Sequence, residues 1–417
     1  MSMITKPIIL DETGRQIASI LEGIRDAIST KSVDVPNMPG VKFIDYDGTV
    51  VYFAGREEVL HMKKLPDAPV HVDLTAQGWN WSLADIKTYM TKYPDAVMTV
   101  GQMYIPSDGK THMLLDVGPR LTIPLMIQQT VSEGVIINWG DGSEEETIEG
   151  TGVVTTSHTY EAEGEYEITL EVADGCTLDF GDVINNVFGE KDTQIYITSL
   201  KHLFVGIGVT NIGNMAFNGC HGLKTLILPN SIISIGVQSF ATCYNITSLI
   251  LPDSITNIGQ FAFYDCYSIT KLGMTNNITT IDMGAFADCY SLTNITLSNK
   301  LTNVEQRIFY SCYSVNNLII PDSVTSIGQN AFTGCLPLIT LIIPDSVTSI
   351  GQSGFSSCYK MFTLIVLAET PPTLANVKAF SKMPADCTIY VPHGKGDTYK
   401  EASGWSTWAS QIQELPE

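Results

Sequence analysis

Cysteines, tyrosines and carboxylates are the residues in this chain whose types and spacing could do chemistry. Seven cysteines stand at 220, 243, 266, 289, 312, 335 and 358, every interval being 23, and each lies three residues after a phenylalanine (217, 240, 263, 286, 309, 332 and 355). Thiols recurring at one position could bridge or bind metal. In stacked units they would lie about 5 Å apart, within disulfide reach, but with parallel and not converging Cβ vectors. Nine cysteines in all leave one unpaired, and no C-x-x-C spacing offers a metal site. The expected role is that of buried free thiols packing as small apolar groups.

The residue after each cysteine is His221, Tyr244, Tyr267, Tyr290, Tyr313, Leu336 or Tyr359. Recurrence at one repeat position builds an aromatic stripe along one flank, suited to sugar rings or a protein partner. The competing reading is that the tyrosines stack on each other and cover the phenylalanines. A second candidate surface is the outward position of the first strand: Ile227, Ile250, Gly273, Thr296, Ile319, Ile342 and Ile365. If exposed, this sheet would be an interface. The alternative is that the first half of the chain, or a second copy, folds over it.

Other chemistry fails on spacing. The acidic run 141–149 could attract Ca²⁺, yet it lacks the D-x-[DN]-x-[DN]-G order of an EF-hand and reads as a solvated loop. Gly109-Lys110-Thr111 has Tyr104 where a phosphate-binding loop needs glycine, and the Gly206, Gly208 pair meets Asn211 where a dinucleotide fingerprint needs a third. Gly354 directly follows Ser353, so there is no nucleophile elbow. No catalytic residue, cofactor or metal is expected, and the chain reads as no enzyme.

These residues need elements to position them. The chain has 417 residues, enough for several domains, with 44% hydrophobic and 16% charged residues and no apolar run long enough to insert in a membrane. A formal net charge of −21 argues against nucleic acid. The charge is local: residues 133–192 hold 16 acidic side chains and one basic, whereas residues 197–366 hold seven and six. Within the second region leucine-type positions (203, 226, 249, 272, 295, 318, 341, 364) and isoleucine-type positions (212, 235, 258, 281, 304, 327, 350) keep the same 23-residue period. The unit LIIPDSVTSIGQNAFTGC at 318–335 predicts a short strand, a proline turn, a second extended piece and a short helical or 3₁₀ turn ending near the cysteine. No such unit buries its own apolar face. Stacking at about 4.8 Å per strand closes a shared core, and seven copies reach about 30 Å.

The unit resembles the BspA-like leucine-rich repeats of bacterial surface proteins, in which a strand is followed by I-P-x-S-V-T-x-I-G and A-F-x-x-C. TPPT (370–373), Ala379-Phe380, TIYVP (388–392) and YKEASGW (399–405) resemble that family's C-terminal cap. Thr275 and Ser298 replace the proline found at 229, 252, 321 and 344, which predicts looser turns in those two units. Upstream, VIINWGDGS (135–143), SHTY (157–160) and the alternating run 165–172 are similar to a PKD domain, a small Ig-like β-sandwich.

The expected architecture is multidomain: a leucine-rich repeat solenoid of 23-residue repeats with its cap (176–417), preceded by a PKD-like β-sandwich (118–175), a small α+β domain (31–117) and an N-terminal helix (1–30). That helix carries Ile17, Ile20, Leu21, Ile24 and Ile28 in one narrow stripe, a pattern that serves self-association. Residues 41–53 read as a hairpin around Asp47-Gly48, and Ser82 as the cap of a helix from Leu83. LTAQGWNWSL (74–83) is reminiscent of modules that precede repeats in gut-bacterial and prophage-encoded surface or tail proteins. The resemblance to BspA-like proteins implies an extracellular or cell-surface binding protein, adhesin-like, meeting a host or neighbouring-cell protein or glycan. Residues 1–10 show no signal sequence, and the alternative is a receptor-binding or structural component of a phage or phage-like tail. The ligand-binding expectation rests on Tyr244, Tyr267, Tyr290, Tyr313 and Tyr359 and on Ile227, Ile250, Ile319 and Ile342.

Overall fold

A computed structural model describes residues 39–119, 121–181, 187–188 and 200–416; the helix expected within 1–30 lies outside them. The first unit pairs β1 (Gly40–Ile44) with β2 (Val50–Gly55) as the expected hairpin, with Gly48 at φ +86° in its turn. After α1 (Arg56–His61) come β3 (Leu74–Trp79), α2 (Leu83–Lys92) and β4 (Val97–Pro106), giving a sheet of order β2-β1-β4-β3. Ser82 starts α2 as read from sequence, its hydroxyl accepting from the Asp85 N–H at 3.1 Å. Phe43, Trp81, Ile86, Tyr89, Met98 and Val100 form the core of this unit.

The second unit contains β5 (Thr111–Val117), β6 (Thr122–Gln129), β7 (Val135–Asn138), β8 (Glu146–Thr147), β9 (Gly152–Thr159), β10 (Gly164–Val172) and β11 (Leu178–Phe180) in two sheets. The domain boundary expected after residue 117 falls earlier in the structure. β5 hydrogen-bonds along its length to β10 and β12 (Leu200–Phe204), so Thr111–Val117 is a strand of the sandwich. Alternation along β10 turns Ile168 and Leu170 inward and leaves Glu165, Glu167 and Glu171 outside.

Each sandwich sheet runs on into the repeats. β5 pairs β12, which pairs β14 (Thr225–Ile227) after β13 (Val209–Ile212); β11 pairs β13, which pairs β15 (Ser234–Ile235). Met113, Leu115, Ile127 and Phe180 thus share one continuous core with Leu203, Phe217 and every later repeat. This two-sheet unit covers the first open end of the stack, the role a terminal repeat must fill.

Repeats then follow in register, Leu226, Leu249, Leu272, Ile295, Leu318, Leu341, Leu364 and Ile389 all buried. The phenylalanines form a column from Phe217 to Phe380 with near-parallel rings and adjacent centroids 5.3 to 5.8 Å apart, slightly longer than the strand spacing. Beside them all seven sulfurs are buried and unbridged. Most bond the chain one repeat back: the Cys243, Cys266, Cys289 and Cys312 thiols donate to the carbonyls of Phe217, Phe240, Phe263 and Phe286 at 3.1 to 3.3 Å.

One local expectation needs refinement and one correction. The segment before each cysteine closes the i→i−3 bonds of a 3₁₀ turn, as from Ala241 N to Gln238 O and Cys243 N to Phe240 O, but it is not a regular helix. Two residues per unit adopt left-handed φ, at 238, 261, 284, 307, 330 and 353 and again at 242, 265, 288, 311, 334 and 357. Their N–H groups reach the next unit, as Gln238 to Gln260 O and Thr242 to Tyr264 O, so the outer side is an inter-repeat ladder. The turns at Thr275 and Ser298 are held and not loose. Both side chains are fully buried, Thr275 Oγ1 donating to Asp253 Oδ1 at 2.7 Å and Ser298 Oγ to Asn276 O at 3.0 Å. Hydroxyl bonds replace the φ restraint of proline.

The far end is closed by Thr388–Val391, a short helix Gly396–Glu401, a 3₁₀ turn Trp405–Gln411 and the strand Ile412–Glu414. Trp405 and Trp408 cover Phe380, with Trp405 Nε1 donating to Pro372 O at 2.8 Å.

Candidate functional site

The post-cysteine positions lie together on one flank, just before each inner strand. His221, Tyr244 and Tyr267 stack at 4.5 and 4.8 Å, and Tyr290 and Tyr313 at 5.1 Å. Tyr267, Tyr290, Tyr313 and Tyr359 remain 40, 38, 45 and 50% exposed, and Tyr244 is half-buried. The rings therefore pack on one another and still present edges and hydroxyls to solvent. Sequence reasoning missed two carboxylates set among them. Asp265 and Asp288 occupy the left-handed position before the cysteine, and burial pushes both carboxyls above the usual aspartate range. Burial, then the charges of Asp288 and Asp265, pushes the Tyr290 phenol up to about 12. At the far end of the flank the Lys382 ammonium donates to the Tyr359 hydroxyl at 3.2 Å and draws its pKa down. Flat rings, phenols and carboxylates on a rigid support suit sugar rings or cationic side chains.

The isoleucine surface is covered by the first half of the chain, the alternative that the sequence left open. Ile227 and Ile250 are buried, while Ile319 and Ile342 are half-buried. The cover is the α+β unit, whose strand β4 lies across the inner strands from Thr225–Ile227 to Asn294–Thr296. Gly101 allows the approach, since a Cβ there would meet Ile250 Cγ1 at 2.5 Å. Met103 and Ile44 complete a small core with Ile250, and Ile319 packs against the core of the α+β unit. Polar contacts fix the seat. Asn80, fully buried, donates through Nδ2 to Leu251 O and Gly273 O at 3.2 and 2.8 Å and accepts from Gly101 N at 2.8 Å. Trp81 Nε1 donates to Met274 O at 2.5 Å, and Lys92 pairs with Asp322 at 2.6 Å.

The acidic run is engaged internally. Asp141 accepts from Ser143 Oγ at 2.6 Å and meets His158 Nε2 at 2.7 Å, and these bonds hold its carboxyl down at about 2. Glu146 accepts from Trp139 Nε1 at 3.0 Å. Among the described residues no three His, Cys, Asp or Glu side chains gather as a metal site, and no helix is long and apolar enough to cross a membrane.

A stacked core of this kind, read by its inner strands and outer turns, defines a leucine-rich repeat solenoid. Residues 192–316 and 279–389 match the family described as "BspA type Leucine rich repeat region", in six copies, so the solenoid is built of BspA-type repeats. Among solved structures the chain is similar to a leucine-rich repeat protein from Bacteroides ovatus (23% identity, TM-score 0.36, 46% of this chain and 56% of that one). It is also similar to a leucine rich cell surface protein from Faecalibacterium prausnitzii (20% identity, TM-score 0.34, 58% and 74%) and to the T. pallidum leucine rich repeat protein (22%, 0.32, 44% and 84%). The chain thus spans little more than half the length of the first of these. No curated protein matches it.

Proposed function

We propose that this chain is a non-enzymatic recognition protein of a bacterial surface or secreted fraction, adhesin-like, that captures a protein or glycan of a host or neighbouring cell on the tyrosine flank of its solenoid. The observation that carries this reading is the pair of stacked, solvent-facing tyrosine runs with Asp265 and Asp288 set among them. A solenoid shared with a sandwich at one end and a tryptophan cap at the other costs no ordering on binding, so each ring contact contributes to affinity. The segment that resembles a PKD domain acts in this reading as a rigid spacer and lid. The test is a glycan and extracellular-matrix array probed with the full chain and with a Tyr267→Ser, Tyr290→Ser double variant. Capture should fall at least tenfold while the thermal midpoint drops by only a few degrees. Undiminished capture by the variant removes the tyrosines from the function.

A further inference from the structure

The tyrosine run on the flank is broken at one place. His221, Tyr244 and Tyr267 stack as one group and Tyr290 and Tyr313 as another, but among the described residues no ring contact joins Tyr267 to Tyr290. The backbone is continuous there, the Ser291 N–H donating to Tyr267 O at 3.2 Å, so only the side chains part. Tyr267 and Tyr290 are both exposed, and each turns one stacked face away from the break and one unstacked face toward it.

The units on either side of the break are the two that carry carboxylates. Asp265 and Asp288 stand two residues after the column phenylalanines Phe263 and Phe286, and both are half-buried. Their hydrogen-bond donors, Tyr244 on Asp265 and Ser311 and Tyr264 on Asp288, are neutral hydroxyls and leave the charge on the carboxylates. Burial, then the charge of Asp288, raises the Asp265 carboxyl, and burial raises Asp288 against those hydroxyls and the Arg307 charge. Arg307 itself lies 5.8 Å over the Tyr310 ring, and it forms no ion pair with Asp288. Burial holds the His221 imidazole below the usual histidine range, so it brings no charge at neutral pH. The chain also shows how a cation sits on this flank. Two residues after Phe380, the last ring of the column, Lys382 takes the same left-handed position at φ +65°, and its ammonium bonds the Tyr359 hydroxyl and lies 5.8 Å from that ring's centroid. At the break the rings are present, the fixed charge has the opposite sign, and no described lysine or arginine lies over Tyr267 or Tyr290.

We propose that the break between Tyr267 and Tyr290 seats a lysine or arginine side chain of the captured protein, its stem against the unstacked ring faces and its N–H groups on Asp265 and Asp288. The proposal rests on the tyrosine flank being the capture surface and names the chemistry captured there. Ring faces are negative at their centre and attract a cation within about 6 Å of the centroid. A carboxylate bonds a charged donor about twice as strongly as a neutral one. A neutral sugar stacks on rings but brings no charge to Asp265 and Asp288, whereas an ammonium or guanidinium serves rings and carboxylates together.

The test is calorimetric titration of the full chain with acetylated, amidated peptides of the pattern Gly-Xaa-Gly-Xaa-Gly, in which Xaa is lysine, arginine, norleucine or glutamate. A basic peptide should bind at least tenfold more tightly than the norleucine peptide, which has the stem without the charge, and the glutamate peptide should not bind. Asp265→Asn with Asp288→Asn should lose tenfold or more, since asparagine tolerates the left-handed backbone and removes only the charge. An Asp265→Ser, Asp288→Ser pair repeats the test with the residue that already stands at this position in Ser311 and Ser357. Glu161→Gln with Glu163→Gln, exposed on the acidic second unit, should bind as the parent does, which separates the seat from attraction to net charge. Failure of both basic peptides, equal binding of the norleucine peptide, undiminished binding by the aspartate pairs, or an equal loss in the glutamate pair overturns the proposal. If array capture falls with Tyr267→Ser, Tyr290→Ser but not with either aspartate pair, the cation seat is wrong and the tyrosine flank stands.

Discussion

Replacing Asn80 with leucine tests whether the α+β unit is seated on the solenoid by specific polar contacts. The amide is fully buried and makes three bonds across or beside the seam, to Leu251 O, Gly273 O and Gly101 N. Leucine keeps the branched outline with bulkier ends, so no cavity is added, but the Gly101 N–H and the Gly273 carbonyl lose a partner inside the seam. At about 1–1.5 kcal/mol for each bond and more for a donor left buried, the seated state should lose roughly 3–5 kcal/mol. That is about a hundredfold to several thousandfold in the equilibrium for opening. Hydrogen exchange reads it directly: the Gly101 amide, which donates to Asn80 Oδ1, should lose protection by that factor, while the amides of Phe309 and Phe332 stay unchanged. The reasoning fails if Gly101 keeps its protection, or if the whole solenoid loosens equally.

Further expectations concern the core and the charges. Burial pushes the column thiols up, to about 12 for Cys358, so those thiols should not react with an aromatic disulfide at pH 8 in the folded chain, and all nine cysteines should react in denaturant. Above about pH 8.5 the unfolded chain releases thiol protons that the folded chain keeps, so stability must fall with rising pH, by about 1.4 kcal/mol per unit for each thiol, and a Cys266→Ala, Cys289→Ala pair should flatten the decline of the thermal midpoint. Phe286→Ala, in the middle of the ring column, should cost about 3–5 kcal/mol in denaturant unfolding. Asp141 should titrate at about 2 by NMR, and Ser143→Ala should raise that midpoint, because the Ser143 hydroxyl is its principal restraint. A chain cut to begin at residue 200 should aggregate, since β12 and β13 would lose β5 and β11 and expose Leu203 and Phe217.

Legibility in the sequence followed how much each position is constrained by its own repeat. Phe and Cys recur without exception because every unit places them against the same residues one step away, so the stack could be read from spacing alone. The left-handed residues could not: ten of the twelve are Gln, Phe, Arg, Asn, Asp, Thr or Ser and only two are Gly, their conformation being imposed by N–H groups reaching the next unit. The threonine and serine substitutes for proline misled for a related reason, as their hydroxyls find partners only in the folded stack. The cover over the isoleucines was foreshadowed by β4, whose VMTVGQMYIP is buried on both faces, but an apolar run names no partner. The thiols and tyrosines of the candidate flank were legible; Asp265 and Asp288 were not, because their meaning depends on neighbours in the adjoining repeats.

The seat of β4 runs mainly from the strand at Thr225–Ile227 to that at Asn294–Thr296, with Ile319 and Asp322 also touching the α+β unit, and the units beginning at Leu318 and Leu341 are near-duplicates at its outer margin. Unequal recombination between those twins would lengthen or shorten the molecule in steps of one module without disturbing either the clamp or the tryptophan plug. A lineage carrying this gene therefore has a ready means of varying the reach of its outer half while inheriting the inner half unaltered.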